Sequence, residues 1–136
     1  MITSETQIRV RYAETDRMGY VYYGNYAAFY EVGRVETLRS LGINYRELED
    51  FGVMLPVASM NTRFIRPAFY DDLLRVVTSI PEMPGSRIVF TYKIYNEASV
   101  LINEGETTLV FVQVDSKKPC KAPDQLLNLL SPYFHA

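Results

Sequence analysis

Between Asn25 and Gly42 runs a helix-forming segment, NYAAFYEVGRVETLRSLG, that has no polar face. Asn25 is a good N-cap, and Gly42 stands where a left-handed C-cap residue is wanted. At 100° per residue the charged side chains Glu31, Arg34, Glu36 and Arg39 fall at scattered angles among Tyr26, Phe29, Tyr30, Val32, Val35 and Leu38. A helix so nearly apolar all round is expected to be buried on several sides. Gly33, in its middle, costs about 1 kcal/mol relative to Ala, which points to a close approach by another backbone. A sheet wrapped around the helix would supply both the cover and the close approach.

The rest of the chain reads as strand. Near the start Ile8, Val10 and Tyr12 alternate with Gln7, Arg9 and Arg11, as in a half-buried strand. Met54 to Arg66 is β-compatible up to Pro67, Leu73 to Ile80 is rich in Val and Leu, and Arg87 to Tyr95 alternates strictly. Val100 to Val114 continues the pattern, with Gly105 a candidate bulge. Turn residues at Asp71-Asp72, Pro84-Gly85 and Asn96-Glu97 separate these runs. A short helix from Pro123 to Leu130, with Pro in its first turn, is expected to end the chain. The order is strand, long helix, then four strands, so the fold class is α+β: a curled antiparallel sheet around one central helix. The 136 residues suffice for one such domain, spanning residues 1–136.

Composition narrows the chemistry. There are 11 Tyr and 7 Phe but no Trp, one His (His135) and one Cys (Cys120). A zinc site of His and Cys ligands needs more than the chain has, no internal disulfide is expected, and a triad would depend on the penultimate residue. No metal is expected. A net charge of -2 offers no footprint for nucleic acid. No stretch approaches the roughly 18 apolar residues that span a bilayer, and the N-terminus lacks the layout of a signal peptide. A cytosolic location is expected. GxxxxGK[ST], GxGxxG and GxSxG are all missing, which removes the main support for nucleotide binding and for an α/β-hydrolase.

The informative stretch is YAETDRMGYVYYGNY, positions 12 to 26. An acidic loop residue, Asp16, stands nine positions ahead of the helix start, where unpaired backbone N–H groups form a ready site for an oxyanion. Asp16 and those donors could converge on one carbonyl. It could equally close an Asp-x-x-Gly turn with Gly19, and spacing alone leaves both readings open.

The stretch from Arg9 to Arg34 resembles the signature of hot-dog-fold acyl-CoA thioesterases of the 4-hydroxybenzoyl-CoA thioesterase type, approximately Y-x-x-T/C-D-x-x-G-x-V-x-[HY]-x-N-Y. Tyr12, Thr15, Asp16, Gly19, Val21, Tyr23, Asn25 and Tyr26 fill it. A second block, RFIRPAFYDDLLRVVTSI, is similar to the family's R-x-x-x-P-A-x-x-D-D-x-L segment. Many close members carry His at the place of Tyr23; the aromatic variant also occurs. The resemblance implies a hot-dog fold and thioester hydrolysis, with Asp16 as nucleophile or general base and the backbone N–H groups of Tyr23 and Gly24 as oxyanion donors. Val21, Tyr22, Asn25, Tyr26, Phe29 and Met60 are candidate substrate-binding residues, the aromatics at helical spacing also reading as plain core, and Arg63 and Arg66 could meet the phosphates of coenzyme A or be solvated surface. Coenzyme A would be part of the substrate, and no separate cofactor is implied. The implied partner is a second copy of the chain, in a dimer or a dimer of dimers (a homotetramer), with the site at the subunit interface. An acyl-carrier-protein thioesterase and a non-catalytic acyl-CoA binder are the alternatives. A hot-dog dehydratase would need a His that the motif lacks.

Overall fold

Strand formation follows the alternation in the sequence. The computed structural model describes residues 1–134, and His135, expected to play no part, lies outside them. Strands β1 (Ile2–Arg9), β2 (Val53–Met54), β3 (Val57–Phe64), β4 (Leu73–Ile80), β5 (Arg87–Tyr95), β6 (Leu101–Val110) and β7 (Val112–Gln113) are joined by helices α1 (Asn25–Ser40), α2 (Tyr45–Asp50) and α3 (Asp124–Leu130). The main sheet is five-stranded and antiparallel, in the order β1-β4-β5-β6-β3, and β2 pairs with β7 separately. Its inner face carries Leu74, Val76, Ile80, Ile88, Phe90, Ile94, Ile102 and Leu109, all buried. Against it lies α1, packed on β1, β4 and β5.

Several boundaries differ from those expected. β1 stops at Arg9, and Tyr12 instead opens a single 3-10 turn with its ring exposed. That turn is held by the Arg11 N–H donating to the Glu14 carboxylate (2.7 Å) and the Thr15 hydroxyl donating to the Tyr12 carbonyl (2.7 Å), a local alternative to strand pairing. The run Met54 to Arg66 breaks at Pro56, which has no N–H for a ladder, into β2 and β3. Similarly, the last long run breaks at Phe111 into β6 and β7.

Gly105 is not a bulge: it faces Tyr92 on one side and Thr62 on the other in regular register. The residue is small because Tyr30 of α1 descends onto it; a Cβ there would meet the Tyr30 hydroxyl and lie 2.7 Å from its Cζ. Gly33 serves the same end on the helix side, where a Cβ would strike the Thr78 hydroxyl and sit 3.2 Å from a Val76 methyl. The close approach anticipated at Gly33 is thus to side chains of β4 rather than to backbone.

Helix α1 is buried along one face, not on several. Tyr26, Phe29, Tyr30, Gly33, Arg34, Thr37 and Leu38 face inward, while Ala27, Ala28 and Val32 are exposed. An arginine and a threonine inside, with alanines and a valine outside, erase the periodicity that would have revealed a face. Arg34 is only 6% exposed and donates to the Tyr45 hydroxyl (3.1 Å) and the Tyr92 hydroxyl (3.1 Å). It does not pair with Glu31, as their spacing invited; the pair on this helix is Glu36 with Arg39 (2.6 Å). The Tyr30 and Tyr92 rings stack at 4.1 Å, and the Tyr30 hydroxyl joins Thr62 (2.7 Å) and Asn103. Helix α2, not anticipated, is capped by Asn44, which accepts from the Glu47 N–H at 2.9 Å.

Candidate active site

The segment that carries Asp16 is fixed by backbone hydrogen bonds at both ends. Asp16 and Tyr20 close on each other, the Asp16 N–H donating to the Tyr20 carbonyl (2.7 Å), and the Gly19 N–H donates to the Asp16 carbonyl (3.0 Å). Gly19 takes a φ of +82°, which favours glycine at that corner. Of the carboxylate, Oδ1 accepts from the N–H groups of Met18 (2.9 Å) and Tyr20 (3.2 Å). Oδ2 accepts no hydrogen bond from the described residues. The turn-closing reading and the functional reading are therefore compatible: one oxygen holds the turn and the other is available.

The start of α1 lies beside this turn. Asn25 is the first helical residue, not the N-cap, a position taken by Gly24 with φ -64° and ψ -21°. Its side-chain amide points back and donates to the Glu14 carbonyl (2.8 Å), which also receives the Tyr22 N–H (2.8 Å). The Asn25 N–H donates to the Tyr22 carbonyl (2.9 Å) and the Tyr26 N–H to the Tyr23 carbonyl (3.3 Å). Among the described residues, the N–H groups of Tyr23 and Gly24 have no acceptor. They are the donors that the helix start leaves open.

A cleft of about 290 Å³ brings part of the candidate set together: Asp16, Val21, Tyr23, Tyr26 and Arg66, with Tyr20, Phe64, Ile65 and Pro67. Its walls are aromatic, Phe64 meeting the rings of Tyr26 (5.3 Å, 75°) and Tyr23 (6.5 Å, 79°) edge to face. Burial pushes the Tyr26 phenol up to about 12, with the neighbouring Tyr30 and Asp72 acting in the same direction. The remaining candidates lie elsewhere. Tyr22 is exposed, its ring over Gly24. Asn25 is engaged with Glu14. Phe29 is core, packed on Tyr26 at 5.6 Å. Met60 is exposed on β3, and Arg63 is paired with Glu104 at 3.0 Å on the sheet. Sequence reasoning missed Tyr20, Phe64, Ile65 and Pro67. The bridge between Tyr20 and Phe69 brings the segment 64–69 against the Asp16 turn, and no local pattern announces a pairing across that distance. Among the described residues, no group of three or more His, Cys, Asp and Glu is placed to hold a metal ion, and no helix is long and apolar enough to cross a membrane.

Residues 10–130 match the family model described as the thioesterase-like superfamily. YneP of Bacillus subtilis is 39% identical over 88% of this chain and 86% of its own. The acyl-CoA thioester hydrolase YbgC of Escherichia coli is 37% identical over 88% of this chain and 90% of its own. Among solved structures, a DHNA-CoA thioesterase from Staphylococcus aureus superposes with a TM-score of 0.92 at 34% identity, covering 98% of this chain and 91% of that one.

Proposed function

The chain belongs to the thioesterase-like superfamily, and we propose that it hydrolyses the thioester of a fatty or aromatic acyl-CoA to the free acid and coenzyme A. The observation that supports this reading is that Asp16, with one carboxylate oxygen unbonded, and Tyr23, next to a helix start where the N–H groups of Tyr23 and Gly24 are open, line one cleft. A thioester carbonyl placed on those donors is polarised, and the negative charge that develops on its oxygen is stabilised by fixed dipoles. Asp16 then acts in one of two ways. As a nucleophile, its oxygen bonds to the acyl carbon, the C–S bond breaks, the thiolate leaves, and water hydrolyses the resulting anhydride. As a general base, it takes a proton from the water that attacks the same carbon, and the C–S bond breaks as the thiolate leaves. Neither route calls on a separate cofactor.

The active unit in this reading is a pair of chains. Strand β3 lies at the sheet edge with every residue but Thr62 exposed, including Val57, Met60 and Phe64. An apolar edge with unpaired backbone is a liability that pairing with a second copy removes. Such pairing would cover the Phe64 side of the cleft and bring Met60 and Arg63 toward the shared site.

The test is thiol release from a panel of short-chain, long-chain and aromatic acyl-CoAs and matched acyl-carrier-protein thioesters, with Asp16→Asn beside the wild type. Loss of about 10²-fold or more in the variant is expected. Full activity in Asp16→Asn removes Asp16 from the mechanism, a preference for carrier thioesters moves the substrate class, and binding without hydrolysis makes the protein a binder. In single-turnover hydrolysis in oxygen-18 water, label in the Asp16 carboxylate marks the nucleophilic route.

A further inference from the structure

Tyr26 differs from the other buried tyrosines of the core. Tyr30 and Tyr92 place their hydroxyls on Thr62 and Asn103, and on Arg34 and Thr107. Tyr26 is only 3% exposed, yet its hydroxyl has no hydrogen-bond partner among the described residues. Buried phenols ordinarily find one. Nor is the hydroxyl sealed in: among the described residues, Thr78 Oγ1 alone is an unpartnered side-chain oxygen or nitrogen shut off from solvent. The Tyr26 hydroxyl therefore opens on free space, and the space that Tyr26 lines is the cleft it shares with Asp16 and Tyr23.

Position along the helix says what would occupy that space. Tyr26 stands in the first turn of α1, three residues on from Tyr23, and the rings of both meet Phe64 at the cleft that all three line. A carbonyl held at the Tyr23 and Gly24 N–H groups would place its acyl group in the cleft that Tyr26 and Phe64 line. We propose that Tyr26 determines specificity: its hydroxyl hydrogen-bonds an oxygen carried by the acyl group, so that acyl-CoAs bearing a hydroxyl or oxo oxygen are preferred over alkyl or aryl groups of the same size. The inference rests on the thioesterase reading of this cleft. A site that buries a hydrogen-bonding group discriminates against a ligand that leaves the group unpaired. The phenol stays protonated far above neutral pH, so it can donate throughout the working range.

The experiment pairs substrates that differ by one oxygen, benzoyl-CoA with its ring-hydroxylated forms and hexanoyl-CoA with 3-hydroxyhexanoyl-CoA, on the wild type and Tyr26→Phe. The variant keeps the ring against Phe29 and Phe64 and deletes only the hydroxyl. In the wild type, at least one oxygenated member is expected to exceed its parent in kcat/KM by about tenfold, and Tyr26→Phe to bring the pair within about twofold. Calorimetric titration with amide analogues of the same CoA esters, which cannot be hydrolysed, reads the same preference in Kd. Equal use of both members by the wild type, or a preference that survives Tyr26→Phe, overturns the proposal. A Tyr26-dependent binding preference without turnover of any thioester supports it while overturning the hydrolytic reading.

Discussion

The side-chain amide of Asn25 donates to the Glu14 carbonyl oxygen at 2.8 Å, and the Tyr22 N–H donates to the same oxygen at 2.8 Å. Glu14 precedes Asp16 by two residues, and Tyr22 and Asn25 flank the open donors of Tyr23 and Gly24. One carbonyl therefore joins the carboxylate turn to the helix start. This engagement gives Asn25, a substrate-binding candidate in the sequence, a hydrogen bond that can position the helix start. Asn25→Ala is expected to lower kcat by about tenfold or more, since small misplacements at a reacting centre are costly, while KM stays within about twofold. Steady-state kinetics with a thermal melt of the same sample checks this, and a KM-dominated effect would return Asn25 to substrate binding.

Asp16 has a structural task besides its proposed chemical one, and two substitutions separate them. Asn at 16 still offers an Oδ1 to the Met18 and Tyr20 N–H groups, whereas Ala offers nothing. Asp16→Asn should keep the melting temperature within about 2 °C and lose activity. Asp16→Ala should lose activity and about 1–2 kcal/mol of stability as well. Urea denaturation of both variants is the measurement, and equal stabilities would mean that the turn does not depend on the carboxylate.

Gly33→Ala sets two effects against each other. The exchange gains about 1 kcal/mol of helix propensity, but the new methyl meets the Thr78 hydroxyl and comes within 3.2 Å of Val76 Cγ1. Overpacking of that kind costs about 1–3 kcal/mol, so a net loss is expected. Thr78→Ala removes the obstructing hydroxyl, which is itself buried without a partner. The double variant should be more stable than the sum of the single changes predicts, and strict additivity in a double-mutant cycle would contradict the contact.

Stability at high pH follows from the buried phenols. Burial raises Tyr26 and Tyr92 to about 12 in the folded chain, the Arg34 cation opposing the rise at Tyr92, against about 10 when unfolded. Between those values the unfolded chain has lost protons that the folded chain retains, so stability falls as pH rises. The contribution is intact below about pH 10 and declines above it by at most about 1.4 kcal/mol per pH unit for each phenol. Tyr26→Phe, which disturbs no hydrogen bond of the described residues, should flatten the fall in urea midpoint between about pH 10 and 12.

What could be read in the sequence was what alternates or repeats locally. β4 and β5 carry their pattern without interruption and begin and end where expected. α1 was found from its ends, but its buried face was not, because Arg34 finds phenols from two other elements, a partnership invisible at a distance of eleven and of fifty-eight residues. Asp16, Val21, Tyr23 and Tyr26 fall within one contiguous motif and meet at the cleft. Phe64 and Ile65 stand in a run that reads as ordinary strand, and only the tertiary fold turns them toward Asp16. Met60 and Arg63 show the same ambiguity in the opposite direction.

The glycine beneath Tyr30 has a consequence of a mechanical kind. A Cβ at position 105 would crowd the Tyr30 ring and lie 2.8 Å from the Asn61 carbonyl. The helix thus rests on the sheet at a height set by an absent atom, with Tyr30 as the strut. Raising that strut would tilt the start of the helix, next to which Tyr23 and Gly24 hold their open donors. The aim of the site is in this sense calibrated from below: a methyl group added to β6, remote in sequence and touching no substrate, would throw the instrument out of alignment.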